Sequence, residues 1–237
     1  MKLSSKLLIV TAFAIAMGFL ESAVVVYLRA LLYPGGFTFP LAPIPGDLAV
    51  TEILREAATL VMLLTIGMLS ARRFSTRFAW FLYTFAIWDI FYYVFLWALL
   101  GWPESLGTWD ILFLIPTTWT GPVWSPVLVS LTMIGFALLI LTRAERGEES
   151  RISGRVWAGL IAGALVLILG WILDYSQYML DETTLGHMFQ MGDVAMMEHA
   201  MAYVPRRFPW PVFALGEGVI LIAIAGYAGW LSRQKKR

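Results

Sequence analysis

An all-α fold, a polytopic bundle of six transmembrane helices with one short re-entrant or interfacial segment, is what this sequence predicts, on three observations. The 237 residues are 59% hydrophobic and only 14% charged, with a mean hydropathy of +0.75, whereas soluble domains are about half apolar and a quarter charged. Six stretches are long enough and apolar enough to cross a bilayer as helices, which takes about 20 residues. Lysine and arginine collect in alternate turns between those stretches, the pattern of the positive-inside rule. The whole chain, 1–237, reads as a single integral membrane domain.

The first span is expected over about 7–32. Its basic start, apolar core and Ala14-Ile15-Ala16 have the form of a signal peptide. The apolar run nevertheless continues through ESAVVVYLRALLY, which favours an uncleaved span carrying Glu21 and Arg29. The prolines and glycines of PGGFTFPLAPIPGD forbid a helix there. A second span, 48–69, carries Glu52, Arg55 and Glu56 in its first two turns. The third, 78–100, is almost wholly apolar, with Asp89 near its middle and Tyr92 and Tyr93 just beyond.

From Trp109 to Leu141 the chain stays apolar for longer than one span needs, and Pro116, Gly121-Pro122 and Pro126 interrupt it. This divides into a short half-helix or re-entrant element at 109–115 and a fourth span at 124–142. The fifth span, 156–179, has Asp174 close to its end; an outer loop, 180–210, leads to the sixth, 211–231, which contains Glu217.

Lys2 and Lys6, Arg72, Arg73 and Arg77, Arg143, Arg146, Arg151 and Arg155, and the basic C-terminal stretch all fall on one side of this arrangement, whereas the opposite loops hold Arg206 and Arg207. Both termini are therefore expected in the cytoplasm and the protein in the cell membrane. Trp102, Trp109, Trp119, Trp124 and Trp210 gather at the other face, where amphipathic rings prefer to sit.

A net charge of +1 and the lack of a basic patch set nucleic acid aside. Without cysteine there is no disulfide, thiolate nucleophile, iron–sulfur cluster or covalently attached haem. Neither H-E-x-x-H, G-x-S-x-G nor a Walker sequence occurs. EILREAAT resembles the Glu and Arg pattern of the CAAX-type intramembrane proteases, but their paired glutamates and histidine-bearing helices are missing. No cofactor is assigned.

Helical rise, about 1.5 Å per residue, turns position into depth. Glu21 lies about 22 Å from Lys6 and Asp89 about 18 Å from Arg77, while Glu56 and Glu217 each lie about 10 Å below the outer surface. In a hydrocarbon core of about 30 Å these four acids share a level in the outer half. Asp110, Asp174 and Glu52 lie nearer the outer mouth. Glu52 and Glu56 share a helix face with Arg55 beside them, although Glu52 also suits the positive end of a helix dipole. Asp89 could equally make a structural hydrogen bond to Tyr92, Tyr93 or a neighbouring tryptophan. With Arg29 and Arg55 as the counter-charges within the membrane, the balance is negative. A buried carboxylate without a partner holds a proton or recruits a cation.

The outer loop holds both histidines, His187 and His199, with Met188 and Met191 among its methionines. Thioether and imidazole suit a soft metal. Val194, Met197, Met201 and Val204 instead recur at helical spacing, as in an interfacial helix, and the ligand spacings match no defined metal motif.

The leading expectation is proton- or cation-linked binding or transport of a small solute through an outer-facing cavity, with the lipid bilayer and that solute or cation as partners. The alternatives are a membrane-embedded enzyme that uses the carboxylates, with or without a metal, on a lipid-like substrate, and a non-catalytic subunit held by partners in a membrane complex.

Overall fold

A computed structural model describes residues 2–148, 150–181 and 194–234. Six long helices account for the six expected spans: α1 (Leu3–Leu32), α2 (Gly46–Ser70), α3 (Phe74–Leu100), α4 (Trp124–Glu145), α5 (Gly154–Leu180) and α7 (Trp210–Gln234). A short helix, α6 (Val194–Met201), precedes the last of them. The chain is thus a multi-pass membrane protein with an all-α bundle.

These helices lack the single apolar stripe of a soluble bundle because both of their surroundings are apolar. Leu8, Leu31, Leu69 and Ile222 are each more than 70% exposed, on a surface suited to lipid. Burial falls instead on small and polar residues, among them Gly18, Ser22, Thr59, Gly67 and Thr84. Since lipid tails are as apolar as leucine, close backbone approach and hydrogen bonds hold such helices together. On α5, a Cβ added to Gly163 would lie 2.8 Å from the Gly216 carbonyl oxygen of α7. One added to Gly216 would lie 2.8 Å from the Leu167 nitrogen. The two helices touch backbone to backbone because both positions are glycine.

α3 is the hub, packed on α1, α2 and α4, whereas α5 pairs with α7, and α4 meets α7 over a short contact. The basic end of the bundle is tied by Lys6 to the Ser70 carbonyl, by the Ile152 N–H to Ser75 (3.1 Å) and by Tyr227 to the Ser150 carbonyl (3.0 Å). Its apolar core centres on Trp80, Tyr83, Phe136, Ile140 and Tyr227.

The opposite end differs from the sequence expectation in one respect. Residues 109–115 do not begin a half-helix; β1 (Trp109–Phe113) pairs antiparallel with β2 (Trp119–Pro122), with Asp110 opposite Gly121 and Ile111 opposite Thr120. Tryptophan, isoleucine, phenylalanine and threonine suit strands, and Pro116 falls in the connecting turn. The hairpin satisfies its main chain across two strands, as non-helical backbone against a membrane bundle must. Aromatic rings pack around it: Trp119 stacks on Trp171 with centroids 5.6 Å apart, and Trp124 on Trp210 at 4.5 Å.

Candidate functional site

Beneath the hairpin, α1, α2, α3 and β1 enclose a cavity of about 540 Å³. Each element contributes polar groups by its own periodicity. Glu52 and Glu56 are one turn apart on α2, and Asp89, Tyr92 and Tyr93 follow the i, i+3, i+4 spacing of one α3 face. Glu21 and Arg29 come from α1, and Asp110 from β1. The cavity's loop end is framed by Phe37, Leu41, Pro116, Thr118 and Met201.

Arg55 is the central cation. It forms an ion pair with Glu21, and its Nε donates to Glu52 Oε2 at 2.8 Å. Glu21 also accepts from Thr59 Oγ1 at 3.1 Å. Glu56 accepts the Leu114 N–H at 2.9 Å, so this membrane acid latches the end of β1. Arg29 faces Asp110 at 3.5 Å and sits over the Trp102 ring, 3.7 Å from its centroid, and the Phe37 ring at 4.5 Å. Tyr93 donates to the other Asp110 oxygen at 3.3 Å. Burial pushes the Asp110 carboxyl up to about 6, against the lowering influence of the Arg29 guanidinium.

Among the described residues, Asp89 makes no hydrogen bond to a neighbouring aromatic side chain. Its Oδ2 accepts from Ser130 Oγ on α4 at 2.8 Å, and it lies in a wall between two cavities. The second cavity, about 400 Å³, is bounded by α3, α4, α5, α7 and the hairpin, and the two share Trp88, Asp89, Leu112 and Phe113. Glu217 lines this second cavity rather than the first, and Thr132 Oγ1 donates to its Oε1.

Asp174 lines neither cavity. It accepts from Tyr203 OH at 2.7 Å, from the Arg206 N–H at 3.0 Å and from the Arg207 N–H at 3.1 Å, which anchors the chain entering α7. His199 stacks on Tyr178, ring centroids 4.4 Å apart. His187, Met188 and Met191 lie outside the described residues. Among the described residues, no group of three or more His, Asp or Glu is placed to hold a metal.

The structure therefore brings Glu21, Glu52, Glu56, Asp89 and Asp110 together with Arg29 and Arg55, sets Glu217 in a second cavity that shares only Asp89 of these, and leaves Asp174 apart from both. Ser130, Thr132 and Thr59 escaped the sequence reading. Their signal was a hydroxyl in an apolar span, a group that must bond to something. Among the described residues, the first cavity is lined by five carboxylates and two guanidinium groups. Such a lining presents both signs of charge, with the carboxylates in excess. Comparison with protein-family models, with curated proteins and with solved structures finds no match for this chain.

Proposed function

We propose that this protein binds a small polar solute in the hairpin-end cavity and moves it across the membrane in a step linked to a proton or a cation. The observation that supports this reading most is the surplus of carboxylates over guanidinium groups around one cavity. Charged groups that deep in a membrane bundle are costly, and they typically mark ion or substrate paths. The basic turns lie at the other end, so the positive-inside rule puts this cavity on the outer side and the termini in the cytoplasm. Asp89, in the wall behind the cavity, is the residue assigned to coupling. Glu21, Glu52, Glu56 and Arg55 hold the cavity's charge in place, and Arg29 with Asp110 guards its loop end.

Proteoliposomes loaded with a pH-sensitive dye, and challenged in turn with amino acids and short amines, test this. Solute-dependent internal acidification in wild type, lost in Asp89→Asn, supports the reading. Absence of both acidification and sodium-driven solute uptake for every solute refutes it. One observation favours a second reading, an enzyme acting on a lipid-like substrate: the polar and apolar cavities meet at Asp89, as an amphiphile's head and tail would require. Turnover of a defined phospholipid by purified protein distinguishes the two.

A further inference from the structure

The second cavity has a chemistry of its own. Its walls are aromatic and aliphatic, with Phe81, Phe85, Phe136 and Trp171 among them, and two carboxylates are set into them: Asp89, in the wall shared with the first cavity and held by Ser130, and Glu217, away from the cluster around Arg55. Glu217 is 6% exposed. Thr132 serves its Oε1, while among the described residues Oε2 has no hydrogen-bond partner. A buried carboxylate oxygen without a donor is expensive, and among the described residues no guanidinium lines this cavity to compensate it. Aromatic faces attract cations, and a carboxylate adds charge and a directional acceptor. An apolar body with one protonated nitrogen meets all three features at once.

We infer that this cavity is a binding site for a lipophilic amine, a primary or secondary ammonium on an apolar chain or ring system. The ammonium N–H donates to Glu217 Oε2, and the apolar body lies among Phe81, Phe85 and Phe136. A quaternary ammonium would enjoy the rings but leave Oε2 without a donor, so it should bind less well. This site does not rest on solute transport through the first cavity, and either could exist without the other.

Dodecylamine is a suitable probe, since an alkylamine is protonated near neutral pH, as lysine is with its pKa of about 10. Calorimetric titration of the full-length protein in detergent micelles, with empty micelles as the blank, should give saturable binding at one site per chain. Dodecanol and dodecyltrimethylammonium should each bind at least tenfold more weakly. Glu217→Gln should lose at least tenfold in affinity, and Glu217→Asp, which keeps the charge, should retain most of it. Ala164→Phe, which fills the cavity from α5, should abolish binding while leaving Asp89 and the first cavity intact. Non-saturable partition alone, equal binding by folded Glu217→Gln, or equal affinity for dodecanol overturns the assignment. Should Ala164→Phe fail to fold, the Gln and Asp variants still decide.

Discussion

The two cavities treat buried charge in opposite ways. In the first, acids and guanidinium groups are cross-linked: Arg55 serves Glu21 and Glu52 together, and Arg29 serves Asp110. In the second, Glu217 stands against apolar walls with a single hydroxyl donor, and Asp89, in the wall shared with the first, likewise has one hydroxyl donor in place of a cation. The same residue type therefore carries different weight in each. Removing a member of a buried ion-pair cluster strands its partners, whereas neutralising an isolated acid relieves a desolvation cost. Charge in the first cavity is part of what holds α1 to α2; in the second, among the described residues, Glu217 Oε2 has no hydrogen-bond partner.

The largest expected effect tests that contrast directly. Arg55→Leu leaves Glu21 and Glu52 facing one another without a cation and should cost about 3–5 kcal/mol, read as lost thermal stability in detergent micelles. A variant as stable as wild type would show that the first cavity's charges are no better paired than Glu217.

Next comes a carboxylate that belongs to neither cavity. Asp174→Ala removes three hydrogen bonds to a buried charged acceptor, for a net loss of roughly 1.5–3 kcal/mol once water reaches the freed donors. Limited proteolysis should then cut between α6 and α7 at least tenfold faster, while the proposed binding of solute to the first cavity and of amine to the second survives. Loss of either would tie the loop to a cavity and blur the division.

Asp110 sharpens the comparison through pH. Its carboxyl titrates at about 6 in the folded protein, against an ordinary value of 3.8, so the folded state binds its proton more tightly than the unfolded chain does. The stabilisation is full below about 4 and is lost as pH rises through about 6. Asp110→Asn should flatten that part of the stability profile, measured by thermal unfolding across the window; an unchanged slope would assign it to another group. The smallest effect should be that of Glu217→Gln on stability. The amide keeps an acceptor for Thr132 and sheds a buried charge, so the change should stay under about 1 kcal/mol, the range of a neutral hydrogen bond. A loss as large as that of Arg55→Leu would erase the distinction between the cavities.

The spans were legible because length and apolarity alone define them, and helical rise turns each acid's position into a distance along its helix. Depth does not give direction around the helix axis or the identity of the neighbouring helix. Glu217 lies near the level of Asp89 yet on a helix whose main partner is α5, set by the glycine contact at Gly163 and Gly216, and that contact is visible only once the helices are assembled. The hairpin was illegible for another reason: a short apolar run reads alike as strand or buried helix. The bond from Ser130 to Asp89 joins positions 41 apart in sequence, which no local pattern connects.

The glycine contact between α5 and α7 has a mechanical meaning. Two helices seated backbone to backbone cannot slide or roll past each other without collision, so they behave as one rigid strut. α4 touches that strut only briefly, and Asp89 and Glu217 lie on opposite banks of the seam, one on the hub helix and one on the strut. Any rocking of the strut alters the second cavity's width as a single coordinate while the Arg55 cluster, carried wholly by α1 and α2, keeps its shape. Spin labels at Leu165 and Leu221 should hold a fixed separation through such a movement, and labels at Leu131 and Leu221 should report its amplitude.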